Sequence, residues 1–362
     1  MRSPLELDTF IPTDWVKFVY QTLQDGMAAG GLAHKTLATQ LTDWVMPKET
    51  KKPQSLSPEL MTKLQGLRND LLAEDWQDAE AGVYPASLLF DQEWQDFLRY
   101  YPLVWLNMPD IWQRKAEGKY QAFSEEIDLE GYPPYYLQNF HYQTDGYLSD
   151  MSANLYDLQV EILFNGAADA MRRRILKLVK EGLSYFADVP DQALKILDIA
   201  CGTGRSLKML RATFPKASLF GVDLSPAYLR KANQLLSQSG DELPQLIQAN
   251  AEALPYLSNY FQGITSVFLF HELPPKARQN VIEEAFRVLK PGGVFVICDS
   301  IQAIDSPEFQ PIMENFRTLF HEPYFRHYIN DDLVKRLEIA GFEQIKITQH
   351  LVSKYWVAFK PV

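Results

Sequence analysis

The chain has 362 residues, 46% of them hydrophobic, and a formal net charge of −11. This is enough to bury one α/β domain with a large additional region, or two domains, and nothing in the composition points to disorder. The acidic balance, with no basic cluster to offset it, argues against a nucleic-acid substrate and against a seat on an anionic membrane.

The first residues, Met1-Arg-Ser-Pro-Leu-Glu-Leu-Asp8, place acids where a secretory signal needs an apolar run. No stretch of about 18 apolar residues is present to span a membrane. Cys201 and Cys298 are the two cysteines, and both fall in strand-like segments, which fits a reducing compartment without disulfides. The expectation is a soluble cytoplasmic protein with no stable membrane insertion; its oligomeric state is unknown from the sequence.

Apolar residues at helical spacing predict helices over 15–25 and 35–45, with the glycines between 26 and 31 as a break. A polar, proline-punctuated linker over 46–58 marks a sub-boundary. Within it Ser57-Pro58-Glu59 reads as a cap, a first-turn proline and a first-turn acid opening another helix. The stretch 132–156 is crowded with rings: Tyr132, Tyr135, Tyr136, Phe140, Tyr142, Tyr147 and Tyr156. A long helix over about 158–186 then leads into a different pattern.

From residue 194 onward, short β-branched runs alternate with amphipathic helices. Strands are expected over 195–200, 218–223, 245–249, 263–270 and 293–299, with helices over 205–214, 226–237, 276–289 and 331–340. Two closing strands, over 343–349 and 355–360, are too close together for a crossover helix and must pair antiparallel. The fold class is α/β: a Rossmann-like seven-stranded sheet, mostly parallel with an antiparallel C-terminal hairpin strand, helices on both faces. Residues 1–190 form a mainly helical N-terminal region and 191–362 the α/β domain.

Ile196-Leu-Asp-Ile-Ala-Cys-Gly-Thr-Gly-Arg205 is a strand, a glycine turn and a helix start. Gly202 and Gly204 let a ligand approach the backbone, and the N–H groups beyond them suit an anionic group. Leu207 stands where a dinucleotide fingerprint needs its third glycine, and the lysine of a phosphate-binding loop is absent. Asp223, closing the next strand, can accept two hydrogen bonds from a ribose diol. The combination indicates a nucleoside ligand without a pyrophosphate.

Leu197-Asp-Ile-Ala-Cys-Gly-Thr-Gly204, Val222-Asp-Leu-Ser225, Ala249-Asn-Ala-Glu-Ala-Leu-Pro255 and Val288-Leu-Lys-Pro-Gly-Gly293 together resemble the successive motifs of class I S-adenosylmethionine-dependent methyltransferases. The nearest likeness is to the ubiquinone/menaquinone C-methyltransferase branch; it covers about residues 194–360 and makes 191–362 the cofactor-binding domain. Tyr142-Gln-Thr-Asp-Gly-Tyr-Leu-Ser149 carries a fainter resemblance to uncharacterised cyanobacterial and plastid methyltransferases.

The resemblance implies S-adenosyl-L-methionine as cofactor. Asp198, Gly202 and Gly204 would surround its methionine end, Asp223 would hold the ribose, and Leu224 would lie on adenine; Ala200 is a further cofactor-binding residue. Asn250, Ala251 and Glu252 would read the adenine edge, with Phe270 beside the site.

The acceptor should sit past the fourth strand, at Phe268-Leu-Phe-His-Glu-Leu-Pro274. His271 is the best candidate base, since imidazole titrates near neutrality; a structural histidine remains the alternative. Glu272 stands beside it, and Asp299, Tyr324, His327 and Tyr328 are further candidates to face the pocket. The ring-rich segment is either a lid or pocket wall, with Tyr142 and Tyr147 as leading contacts, or core packing. No convincing metal-ligating set is found, so no metal is expected. The expected function is methyl transfer to a small, aromatic or hydrophobic acceptor. The alternatives are a non-catalytic cofactor-binding module acting through a protein partner and a protein methyltransferase.

Overall fold

Seven runs rich in β-branched and aromatic residues become strands: β1 (Lys195–Ile199), β2 (Ser218–Asp223), β3 (Gln245–Gln248), β4 (Phe261–Val267), β5 (Leu289–Ser300), β6 (Glu343–His350) and β7 (Ser353–Phe359). The computed structural model that shows them describes residues 14–45 and 53–362. They form one sheet in the order β3-β2-β1-β4-β5-β7-β6. The first five run parallel to their neighbours; β7 inserts antiparallel between β5 and β6. This is the sheet expected from the sequence, hairpin included.

Both faces of the sheet are covered, and β5 records it residue by residue. Val294, Val296 and Cys298 pack into one core, while Phe295 and Ile297 pack into the other, the period of 2 that a strand imposes. The second core holds α8 (Pro275–Val288), α9 (Gln310–Leu319), α10 (Phe325–Tyr328) and α11 (Leu333–Ala340), which follow α6 (Arg205–Thr213) and α7 (Pro226–Leu236) in the chain.

The first core continues into the N-terminal half. That half contains α1 (Asp14–Val45), α2 (Pro58–Glu80), α3 (Trp94–Glu117), α4 (Asp150–Leu163) and α5 (Ala168–Gly182). Tyr20, Trp76 and Leu89 share one cluster with Met171, Val294 and Tyr355. Inside it, Arg173 of α5 is fully buried and grips Asp75 of α2 with Nε at 2.9 Å and Nη2 at 2.6 Å. Tyr20 and Tyr84 donate their hydroxyls to the same carboxylate at 2.7 and 2.5 Å. The Ser57 cap is present, its Oγ accepting the Leu60 N–H at 3.2 Å. Most of the expected linker, residues 46–52, lies outside the described residues.

Two helical expectations are corrected. α1 runs unbroken through Gly26, Gly30 and Gly31, although each glycine costs a helix about 1 kcal/mol. Packing outweighs that cost. A Cβ on Gly31 would meet Asn165 and the Ile162 carbonyl at 3.2–3.3 Å, so the glycine lets α1 lie close over the end of α4. Conversely, the helix expected over 158–186 begins at Asp150 and breaks at Asn165 and Gly166, which take φ of +52° and +78°.

Candidate active site

The turn after β1 is built on positive φ: +56° at Ala200, +53° at Gly202 and +82° at Gly204. Gly204 opens α6, and a Cβ there would lie 3.0 Å from the Ala232 Cβ and 3.1 Å from its Cα. Only glycine satisfies both the backbone and the approach of α7. Gly204→Val is expected to lower stability by about 1–3 kcal/mol and to weaken cofactor binding. An unchanged urea midpoint would show that the α6–α7 contact gives way freely.

Asp223 closes β2 one strand over. Its Oδ2 accepts the Gly202 N–H at 2.9 Å and its Oδ1 accepts the Ser225 N–H at 2.8 Å. Parallel pairing of Ile199 with Val222 sets this juxtaposition. The loop and the carboxylate are thus a single hydrogen-bonded unit, with lone pairs still available on the carboxylate for a diol.

A cavity of about 110 Å³ lies at the carboxyl ends of β1, β2 and β4. Ala200, Gly202, Asp223, Leu224, Asn250 and Ala251 line it. Tyr135, Tyr136, Tyr147, Tyr156 and Tyr228 line it as well, together with Phe268, Leu269 and Glu272. It is smaller than the roughly 300–1,000 Å³ of typical ligand sites, because the rings fill it.

The ring-bearing segment is firmly seated. Asn139, fully buried, exchanges hydrogen bonds with both backbone groups of Ala122, and Asp145 accepts the Ser124 N–H at 2.7 Å. The Tyr147 carbonyl accepts the Ser225 hydroxyl at 2.6 Å, tying the segment to the start of α7 beside Asp223.

Several sequence-predicted residues stand away from the cavity lining. Asp198 is buried beneath it, accepting the Thr265 hydroxyl at 2.6 Å. Glu252 turns to Tyr135 at 2.6 Å and Asn280 at 2.7 Å, and Asn250 Oδ1 accepts the Glu252 N–H at 2.9 Å. Phe270 is fully buried in the core under β4 and β5, where its apolar ring is drawn by Phe295. Tyr142 is directed away, packing beside Tyr120 and His321 while its carbonyl accepts from Arg114. Tyr328 donates to the Ser300 carbonyl, and Arg278 holds His327 at 2.9 Å and the Tyr324 carbonyl at 3.1 Å.

Around Tyr147 and Glu272 of the lining, polar groups converge, although His271, His141 and Glu322 do not themselves line the cavity. Tyr147 donates to Glu272 Oε1 at 2.5 Å. His271 Nδ1 lies 2.7 Å from Asp299 Oδ1, and its Nε2 lies 3.8 Å from Glu272 Oε1. His141 Nε2 approaches Glu322 at 3.1 Å and Glu272 at 3.6 Å. Burial opposes the His271 imidazolium, but Asp299 outweighs it and lifts the pKa to about 9. Burial raises Glu322 to about 7, Asp198 to about 7 and Asp223 to about 6.

The sequence singled out His271, Glu272 and Tyr147 here, named Tyr136 only within the ring-rich stretch, gave His141 no role, and passed over Glu322 and Tyr228. Glu322 was within reach, since its segment was already suspected of facing the pocket. His141, 131 positions before Glu272, carries no local signal.

Residues 196–293 match the family model described as "Methyltransferase domain". An uncharacterised methyltransferase from Synechocystis is 32% identical over 190 residues, 51% of this chain and 85% of that protein. Demethylmenaquinone methyltransferase from Thermus thermophilus is 30% identical, across 48% of this chain and 70% of that protein. The enzyme of the same name from Anoxybacillus flavithermus is 30% identical over 37% of this chain and 52% of its own length.

Proposed function

The chain belongs to the class I S-adenosylmethionine-dependent methyltransferases, and from that premise we propose that its acceptor is a small, planar or apolar molecule. The observation that carries this reading is the wall of tyrosine rings lining the same cavity as the cofactor loop, with Glu272 set among them. Rings of this kind bind flat apolar surfaces and keep water from the sulfonium. A small, ring-lined space also disfavours a peptide or a nucleic acid strand. The name of the Thermus relative, which refers to demethylmenaquinone, is consistent with a planar ring.

In this reading the 200–204 turn faces the methionine end with Asp198 buried beneath it, Asp223 faces the ribose, and Leu224, Asn250 and Ala251 the adenine. The acceptor's nucleophilic atom attacks the methyl carbon as the carbon–sulfur bond breaks, and the electron pair stays on sulfur. Alignment supplies most of the acceleration. Tyr147, Glu272 and His271 position the polar end of the acceptor.

The test is label transfer from S-adenosylmethionine to a panel of phenols, quinols, amines, peptides and RNA. Activity confined to peptides or RNA would sink the proposal. Glu272→Gln is expected to lower kcat by about 10²-fold or more while S-adenosylhomocysteine affinity changes only a few-fold. A parallel loss of both would instead place Glu272 in the cofactor site.

A further inference from the structure

We propose that His141, Glu272 and Glu322 form a binding site for a first-row divalent metal ion, Zn²⁺ or Mn²⁺, beside the ring-lined cavity. One ligand atom from each of the three lies within 4.8 Å of the others. Bonds of about 2.0–2.2 Å to a metal leave neighbouring ligand atoms about 3.0–3.5 Å apart. His141 Nε2 stands 3.1 Å from Glu322 Oε1 and 3.6 Å from Glu272 Oε1, the separations of ligands around an ion.

Glu322 supplies the independent observation. Its side chain has no exposed surface, and neither carboxylate oxygen has a hydrogen-bond partner. The contact with His141 lacks the alignment of a hydrogen bond. Among the described residues no lysine or arginine pairs with Glu272 or Glu322. A buried carboxylate without a donor is costly, and a bound cation removes the cost. Asp299 offers the contrast, since it accepts from the Phe270 and Ser300 N–H groups and from His271.

The backbone is bent to bring His141 there. His141 and Tyr142 take successive φ of +54° and +59°, a conformation costing about 1–3 kcal/mol per residue. The His141 N–H donates to the His321 carbonyl at 3.2 Å, fixing the bend beside Glu322. Phe316 and Phe320 pack edge-on against the His141 ring and give the site an apolar shell. Tyr147 bonds to Glu272 as an outer partner orients a ligand. One imidazole and two carboxylates suit Mn²⁺ or Zn²⁺ and leave coordination positions open.

Glu272 also lines the cavity, so an ion held here would lie against the space proposed for the acceptor. There the ion would bind an acceptor hydroxyl and favour release of its proton to solvent before oxygen takes the methyl group; this role alone rests on the function proposed above.

The test needs no turnover. Chelator-treated full-length protein is titrated with Co²⁺ and followed by its visible d–d bands, then with Zn²⁺ by calorimetry. One saturable site is expected, weakened by at least about 100-fold in Glu322→Gln and in His141→Ala, with S-adenosylhomocysteine affinity retained. Should either variant fail to fold, X-ray absorption of the cobalt-loaded wild type decides, and a nitrogen/oxygen shell with one imidazole supports the site. Absence of saturable binding, equal binding by wild type and variants, or sulfur ligation from Cys201 or Cys298 would overturn it.

Discussion

Replacing Asp223 with asparagine is expected to weaken S-adenosylmethionine binding by about 10²-fold, and alanine by about 10³-fold. The carboxylate lines the cavity while already holding the Gly202 and Ser225 N–H groups. Hydrogen bonds to a charged group contribute about 1.5–3 kcal/mol each, and 1.4 kcal/mol is a factor of ten. On the proposed ribose role, the alanine variant would lose both diol contacts and release the loop, and the asparagine variant would keep one acceptor oxygen. Calorimetry with S-adenosylhomocysteine measures both. Wild-type affinity in either variant would remove Asp223 from the ribose site.

The same carboxylate makes binding depend on pH. Burial lifts Asp223 to about 6, and lifts Asp198, with Asp223 adding to the effect, to about 7. The empty folded protein therefore retains protons that the unfolded chain has already lost. Its stability falls as pH rises from about 4 to about 7, the interval between the ordinary and raised values. On the proposed placement of the cofactor, a ribose diol on Asp223 and a nearby sulfonium would favour the ionised forms, so binding should release protons. Affinity should climb with pH up to about 7 and then level. Calorimetry at pH 6 in buffers of different ionisation enthalpy reads the released protons directly, and a zero count would contradict this account.

Legibility followed the range of the interactions. The βα alternation and the Gly202–Asp223 pairing are encoded within stretches of some thirty residues, so the sheet and the glycine turn could be read from the sequence. The hairpin was legible for a geometric reason, because so short a connection cannot cross a sheet. What escaped is tertiary in origin. At Gly31, helix α1 lies against the end of α4, a neighbour more than a hundred positions away. Tyr142 and Tyr147, five residues apart in one ring-rich run, face different surroundings because of the positive φ values between 141 and 146. The convergence of His141 with Glu322 depends on the same bend.

Arg173→Met should be the most destabilising substitution outside the cofactor site, costing about 3–5 kcal/mol. Arg173 and Asp75 are both wholly buried, and the guanidinium also donates to the Leu88 carbonyl at 3.1 Å. Methionine fills much of the volume, so the cost comes from Asp75, left as a buried charge with two tyrosine donors. Adding Asp75→Asn removes the charge but preserves an acceptor for Tyr20 and Tyr84, so the double variant should recover most of the loss. Denaturant unfolding of the two single variants and the double variant gives the coupling directly. Strict additivity would mean that the pair contributes through packing alone. Because α5 also carries Asp169, which pairs with Arg205 at the start of α6, the single Arg173→Met variant should lose cofactor affinity only as it unfolds. Loss of binding well below its unfolding transition would instead show that the α2–α5 clamp sets the geometry of the glycine turn.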